Sequence, residues 1–179
     1  MQVLWKVLDE YPNQAVTCIF KLLILTGARK GEVLHATWDQ FNLQKGVWTK
    51  PSHLTKQNKE EHLPLSIEAI EILETMKSQA SSPFLFPGKV EGKSIQEVKR
   101  AWDTIRKKAG FPELRIHDFR HTHAAHLVSN GFTLNIVGKL LGHTQPSTTD
   151  IYAHLADKPL RQAAQLFGSR VKELTAEKK

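Results

Sequence analysis

The sequence predicts an α+β fold, mostly helical, with one small antiparallel β-sheet. Two textures predict it. Apolar residues recur at helical spacing from Asn13 to Leu25, and the helical pattern returns after Ser66. Between Trp38 and Leu65 the spacing changes to alternation, with Phe41, Leu43, Val47, Trp48, Leu63 and Leu65 set among polar residues. At 179 residues, 40% of them hydrophobic, the chain is long enough to bury one sizeable core, so residues 1–179 are expected to form one domain.

The elements follow in order. Gly27 stands where the Asn13–Leu25 helix would stop, because glycine takes the left-handed conformation without a Cβ clash. Arg29 then opens a second short helix. In the sheet region Lys45-Gly46 reads as a turn, and Pro51 and Pro64 exclude a helix. Ser66 can cap a helix ending near Lys77, followed by a loop from Ser78 to Lys93. Ser94 with Glu97 forms a capping-box signature ahead of Val98, Trp102 and Ile105. From His117 onward three or four short helices are expected, separated at Gly131, at Gly142 and around Lys158-Pro159, with Ser147 and Asp150 as a second capping box. The residues from about 169 to 179, and above all Lys172 to Lys179, make a charged tail expected to be mobile. Trp38, Trp48 and Phe111 are assigned to the core.

Lys and Arg number 25 against 18 Asp and Glu, a formal charge of +7 with a pI near 9.5, which favours a polyanionic partner. The single cysteine, Cys18, lies in an apolar stretch and excludes an internal disulfide, so a buried, unreactive thiol and a reducing setting are expected. The longest apolar run is interrupted by Lys21 and is too short to span a bilayer, and Asp9 and Glu10 do not fit a signal peptide. A cytoplasmic protein with no membrane partner is the expectation.

The densest polar cluster is His117-Asp118-Phe119-Arg120-His121-Thr122-His123-Ala124, where His117 and Arg120, three apart on a helix, share a face and can hold one anion. Further on, Gly142 ends a helix and presents His143 at a turn, nine residues before Tyr152 on a new helix. A tyrosine on a helix usually serves packing. A nucleophilic role needs surrounding cations, since a phenol with a pKa near ~10 is mostly protonated at neutral pH. Arg29, Lys56, His117, Arg120 and His143 have the chemistry to stabilise a phosphoryl-transfer transition state. Arginine's planar fork gives two hydrogen bonds to two phosphate oxygens and stays charged, whereas lysine and histidine can release a proton.

The order Thr26-Gly27-Ala28-Arg29, Gly31-Glu32, Thr55-Lys56, His117-x-x-Arg120-His121-Thr122, Leu141-Gly142-His143 and Tyr152 resembles the signature of the tyrosine recombinases of the phage-integrase family, and it covers nearly the whole chain. The resemblance implies the catalytic core fold of the DNA breaking-rejoining enzymes. It also implies roles: Arg29, Arg120 and His143 on the nonbridging oxygens of a scissile phosphate, Lys56 protonating the leaving 5′ oxygen, His117 assisting proton transfer, and Tyr152 becoming joined to the 3′ phosphate. No cofactor is implied, because the phosphotyrosine conserves the bond energy. The implied partner is double-stranded DNA, bound by a homotetramer in full-length members, while the isolated domain is expected to be a monomer. Full-length members carry an N-terminal core-binding domain that nothing in residues 1–179 matches, so an excised catalytic domain or a truncated gene is expected.

Competing assignments stand beside these. Glu32 would repel a phosphate, so it is expected to orient an arginine. Lys50 and Lys59 share the polar hairpin with Lys56, where lysines are usually solvated; only Thr55 in the family's pattern favours Lys56. His117, His121, His123 and His126 invite a zinc site, but the Glu of His-Glu-x-x-His is missing and Arg120 would repel the ion. A non-enzymatic DNA-binding remnant and a metal-dependent hydrolase are therefore the alternatives to a strand-exchange enzyme.

Overall fold

A computed structural model describes residues 1–52, 58–143 and 147–176. The chain forms two compact units, Met1–His123 and Ala124–Lys179. The fold is mostly helical with one three-stranded antiparallel sheet, as the two textures of the sequence predict.

In the first unit, α1 (Gln2–Asp9) precedes α2 (Gln14–Thr26) and α3 (Lys30–Leu34). The sequence reading omitted α1. Its signal is the spacing of Leu4, Val7 and Leu8, all buried, and the Thr17 hydroxyl of α2 donates to the Leu8 carbonyl at 2.9 Å. The Asn13 side chain caps α2 by accepting from the Val16 N–H at 3.1 Å, and Gly27, with φ of 62°, ends it. Strands β1 (Phe41–Asn42), β2 (Val47–Lys50) and β3 (Glu61–Pro64) pair in that order, with Trp48 opposite both Phe41 and Leu63. The Phe41 and Trp48 rings stack at 5.1 Å, and these two side chains with Leu63 form the buried face of the sheet. Gly46 turns the β1–β2 connection with φ of 62°, which a side chain would strain.

Helix α4 (Ile67–Lys77) is capped by Ser66, whose hydroxyl accepts from the Ala69 N–H. The expected capping box at Ser94 and Glu97 is not formed, because α5 (Lys99–Lys108) starts later. Ser94 is instead drawn into a β-bridge with Pro87 and hydrogen-bonds His35 Nδ1 at 2.7 Å, while the Glu97 carboxylate accepts directly from the Val98 and Lys99 N–H groups at 2.8 and 3.0 Å. Trp102 of α5 packs at 5.0 Å from both Phe20 and Phe119, and its indole N–H donates to the Leu114 carbonyl, so this buried ring leaves no unpaired donor. Phe111, assigned to the core from sequence, is exposed, since the chain turns outward at Gly110 with φ of 79°. Trp38 is half-buried and so is Cys18, whose thiol pKa burial pushes up.

Helix α6 (Asp118–Ser129) runs through the boundary between the units. In the second unit Gly131, with φ of 94°, separates it from α7 (Leu134–Leu141), which Thr133 caps and Gly142 closes with φ of 64°. Helix α8 (Ser147–Asp150) is too short for the expected capping box: Ser147 is its first residue and Asp150 its last. After a 3₁₀ turn over Ala153–Ala156, α9 (Asp157–Ala176) begins where Lys158-Pro159 predicts a boundary, with Pro159 in the first turn, where no N–H is needed. Lys172 and Glu173 of the charged stretch are part of α9. Among the described residues no helix is long and apolar enough to cross a membrane.

Candidate active site

Arg29 is the residue before α3, held at both ends of its side chain's reach by one carboxylate. Its backbone N–H donates to Glu32 Oε2 at 3.0 Å and its Nη1 donates to Glu32 Oε1 at 2.6 Å. The expected orienting role of Glu32 has this geometry. A third group shares the carboxylate: Lys50 Nζ donates to Glu32 Oε2 at 2.7 Å and lies 4.0 Å from Glu61 Oε2.

Lys50 is not solvated, contrary to expectation; its side chain is 4% exposed and Glu32 is 5% exposed. The strand's period of two explains this, because Trp48 and Lys50 point to the same inward face, and the ammonium sits 4.8 Å from the Trp48 ring centre. Burial alone would raise the Glu32 carboxyl, but Lys50 and Arg29 outweigh it and hold it below the usual carboxylate range. Burial pushes the Lys50 ammonium down, and the attraction of Glu32 and Glu61, opposed by Arg120, does not restore it. The two directions have different causes: at Glu32 the neighbouring cations outweigh burial, whereas at Lys50 burial outweighs the neighbouring carboxylates.

Arg120 lies in the first turn of α6 with 5% exposure, and its Nη1 donates to the Gly27 carbonyl at 2.8 Å. The left-handed glycine that ends α2 thus anchors one arginine and leads, two residues later, to the other. His117 stands just before α6 rather than within it, and its carbonyl accepts from the Arg120 N–H at 3.1 Å. Its ring is largely exposed and meets the His121 ring edge-on at 4.7 Å. Partial burial first, then His121 and Arg120, push its pKa below the ordinary histidine value.

In the second unit the left-handed Gly142 directs His143 back over α7, where its N–H donates to the Gly138 carbonyl at 2.8 Å. His143 Nδ1 and the Thr149 hydroxyl are hydrogen-bonded at 2.9 Å, and Thr149 is buried. Tyr152 is not on a helix as expected; it occupies the turn after α8, and its N–H donates to the Thr149 carbonyl at 3.0 Å. Its ring is 7% exposed, packed with Ala124, Val128, Val137 and Leu141. One short turn therefore supports both the His143 imidazole and the Tyr152 backbone.

Arg29, His117 and Arg120 thus belong to the first unit, and His143 and Tyr152 to the second, while Lys56 lies outside the described residues. Among the described residues, no three His, Cys, Asp or Glu side chains converge as a metal-ligand set. Sequence reasoning took Lys50 for a solvated competitor of Lys56 and so missed its burial, and it missed Thr149. The strand alternation from Trp48 could have found the first; the second is local to a fold that the sequence does not display.

The family model of the phage integrase family matches residues 2–159. Tyrosine recombinase XerD of Yersinia pestis is 34% identical over 161 residues, covering 82% of this chain and 52% of that protein. The chain spans about half the length of the curated relatives it matches. Among solved structures, the catalytic domain of bacteriophage HP1 integrase superposes with a TM-score of 0.67 at 25% identity, covering 90% of this chain and 88% of that one. The XerH site-specific recombinase bound to its difH substrate, a pre-cleavage complex, gives a TM-score of 0.74 at 21% identity over 93% of this chain and 52% of that one, a likeness of fold. With the fold, the ordered motifs and the family match in agreement, this chain belongs to the phage integrase family.

Proposed function

We propose that the chain is the catalytic domain of a site-specific tyrosine recombinase that cuts and rejoins DNA strands through a covalent 3′-phosphotyrosine at Tyr152. The observation that carries this is the pair of arginines built on one turn: Arg120 is buried and fixed to the Gly27 carbonyl, and Arg29 is fixed by Glu32 as α3 begins. Two guanidinium groups, each oriented by a fixed acceptor, suit a phosphate that gains charge on its nonbridging oxygens.

In this mechanism the Tyr152 hydroxyl gives its proton to neutral His117, and its oxygen attacks phosphorus. The bond from phosphorus to the 5′ oxygen breaks, and that oxygen takes a proton from Lys56. Arg29, Arg120 and His143 hold the nonbridging oxygens, and His117, neutral near pH 7 by virtue of its lowered pKa, assists the proton movement. A Thr149 hydroxyl that donates to His143 Nδ1 leaves the ring proton on Nε2, the donor a phosphate oxygen requires. Attack by a 5′ hydroxyl from a partner strand then breaks the phosphotyrosine bond, so no nucleotide cofactor is consumed. The substrate is double-stranded DNA, in keeping with the net charge of +7 and with the DNA-bound XerH, and the full-length protein acts as a homotetramer on it.

The test uses nicked duplexes tiled across the DNA flanking the gene, labelled at the 5′ end of the strand to be cut. The wild-type chain is expected to give a labelled adduct that survives denaturant, and Tyr152→Phe none. If a duplex that binds tightly yields no adduct with either protein, the chain is a DNA-binding remnant instead.

A further inference from the structure

We propose that Lys50 is a positioning residue: by occupying one oxygen of Glu32 it stops that carboxylate from neutralising Arg29, whose guanidinium is oriented yet keeps its charge for a phosphate. This rests on the role given to Arg29 above. Glu32 uses Oε1 for the Arg29 guanidinium and Oε2 for Lys50, at 2.6 and 2.7 Å. The groups facing Lys50 come from four elements: Trp48 of its own strand, Glu32 of α3, Glu61 of β3 and Arg120 of α6. With Arg29, three cations stand against two carboxylates among the described residues. Take Lys50 away and the cluster is neutral.

Lys50 does not itself reach a substrate, being 4% exposed and donating to Glu32. Nor does stability account for a lysine there. A buried ammonium is costly, and an unbranched apolar chain of similar length would pack on Trp48 as well and often leaves stability unchanged or improved. A lysine in this place acts through the charge it leaves on Arg29.

Lys50→Met, Lys50→Gln and the double variant Lys50→Met/Glu32→Gln are made in the whole chain. Binding of inorganic phosphate is measured by calorimetry, and cleavage of a nicked duplex by single-turnover kinetics. Lys50→Met should bind phosphate at least fivefold more weakly and cut at least tenfold more slowly, with a change in duplex affinity under threefold. Lys50→Gln keeps a donor to Glu32 and loses only charge, so it should show the same fall and serves if the Met variant does not fold. The double variant should regain phosphate affinity to within threefold of wild type, because Glu32, the carboxylate paired with Arg29, is gone and the cluster's net positive charge is restored. Undetectable phosphate binding by the wild type, wild-type affinity in both single variants, or a double variant no better than Lys50→Met with an intact fold overturns the inference. If the phosphate pattern holds but no adduct ever forms, the recombinase proposal falls and this one stands; if adducts form and Lys50→Met matches wild type, only this one falls.

Discussion

Gly138 offers a test of how the second unit holds His143. A Cβ at this position in α7 would lie 3.0 Å from the Thr149 Oγ1 and 4.0 Å from the His143 Cβ. The hydroxyl it crowds is the one bonded to His143 Nδ1 at 2.9 Å. Gly138→Ala gains about 1 kcal/mol of helix propensity. Against this, overpacking costs about 1–3 kcal/mol and loss of the Thr149–His143 bond about 1 kcal/mol. The net is a loss of about 2 kcal/mol, or about 5 °C in melting temperature for a chain of this size. Activity should fall further than stability, by about tenfold in cleavage rate, because a displaced imidazole no longer meets the phosphate squarely. Thr149→Ala removes the crowding atom, so Gly138→Ala made on that background should cost no additional activity and little stability. Calorimetric melts and single-turnover cleavage of the four proteins complete the cycle. If the two substitutions add to within about 0.5 kcal/mol, Gly138 does not act through Thr149 and the reasoning is refuted.

Tyr152 should separate chemistry from packing: Tyr152→Phe is expected to keep stability to within about 1 kcal/mol and form no adduct, whereas Tyr152→Ala opens a cavity among Val128, Val137 and Leu141 and loses about 3–5 kcal/mol in urea melts. Arg120→Lys keeps the charge but not the fork, so cleavage should drop by about 100-fold or more while duplex binding, read by anisotropy, changes little. The Glu32 carboxyl is held below its ordinary value of 4.5, so the stability it contributes is complete above that pH and is lost as pH falls through the lowered value. Glu32→Gln should therefore be less stable than wild type at pH 7, with the gap narrowing below 4.5 in urea melts taken across pH. Duplex affinity should decline steeply with added salt as counterions return to the phosphates, and a flat response in a salt titration would count against a DNA substrate.

Local chemistry made much of this protein legible from its sequence alone. Ser66 caps a helix because its side-chain oxygen reaches a backbone N–H three residues on, and Gly27 and Gly142 end helices because glycine takes the left-handed turn without a Cβ clash. Those signals act over one turn, so they survive without knowledge of the fold, and the ordered motifs that resemble the family lie beside them. Tertiary structure decided what lies between distant segments. Ser94 reads as a cap, but a bridge to Pro87 and a bond to His35, 59 residues away, claim it. Tyr152 reads as helical, but a four-residue α8 leaves it in the following turn, packed on α6 and α7 residues. Lys50 reads as a solvated hairpin lysine, and only the packing of β2 against α3 and β3 turns it into the buried partner of Glu32 and Glu61. Burial and charge pairing depend on which segments meet, and long-range contact, unlike a cap or a turn, leaves no mark within the few residues that make it.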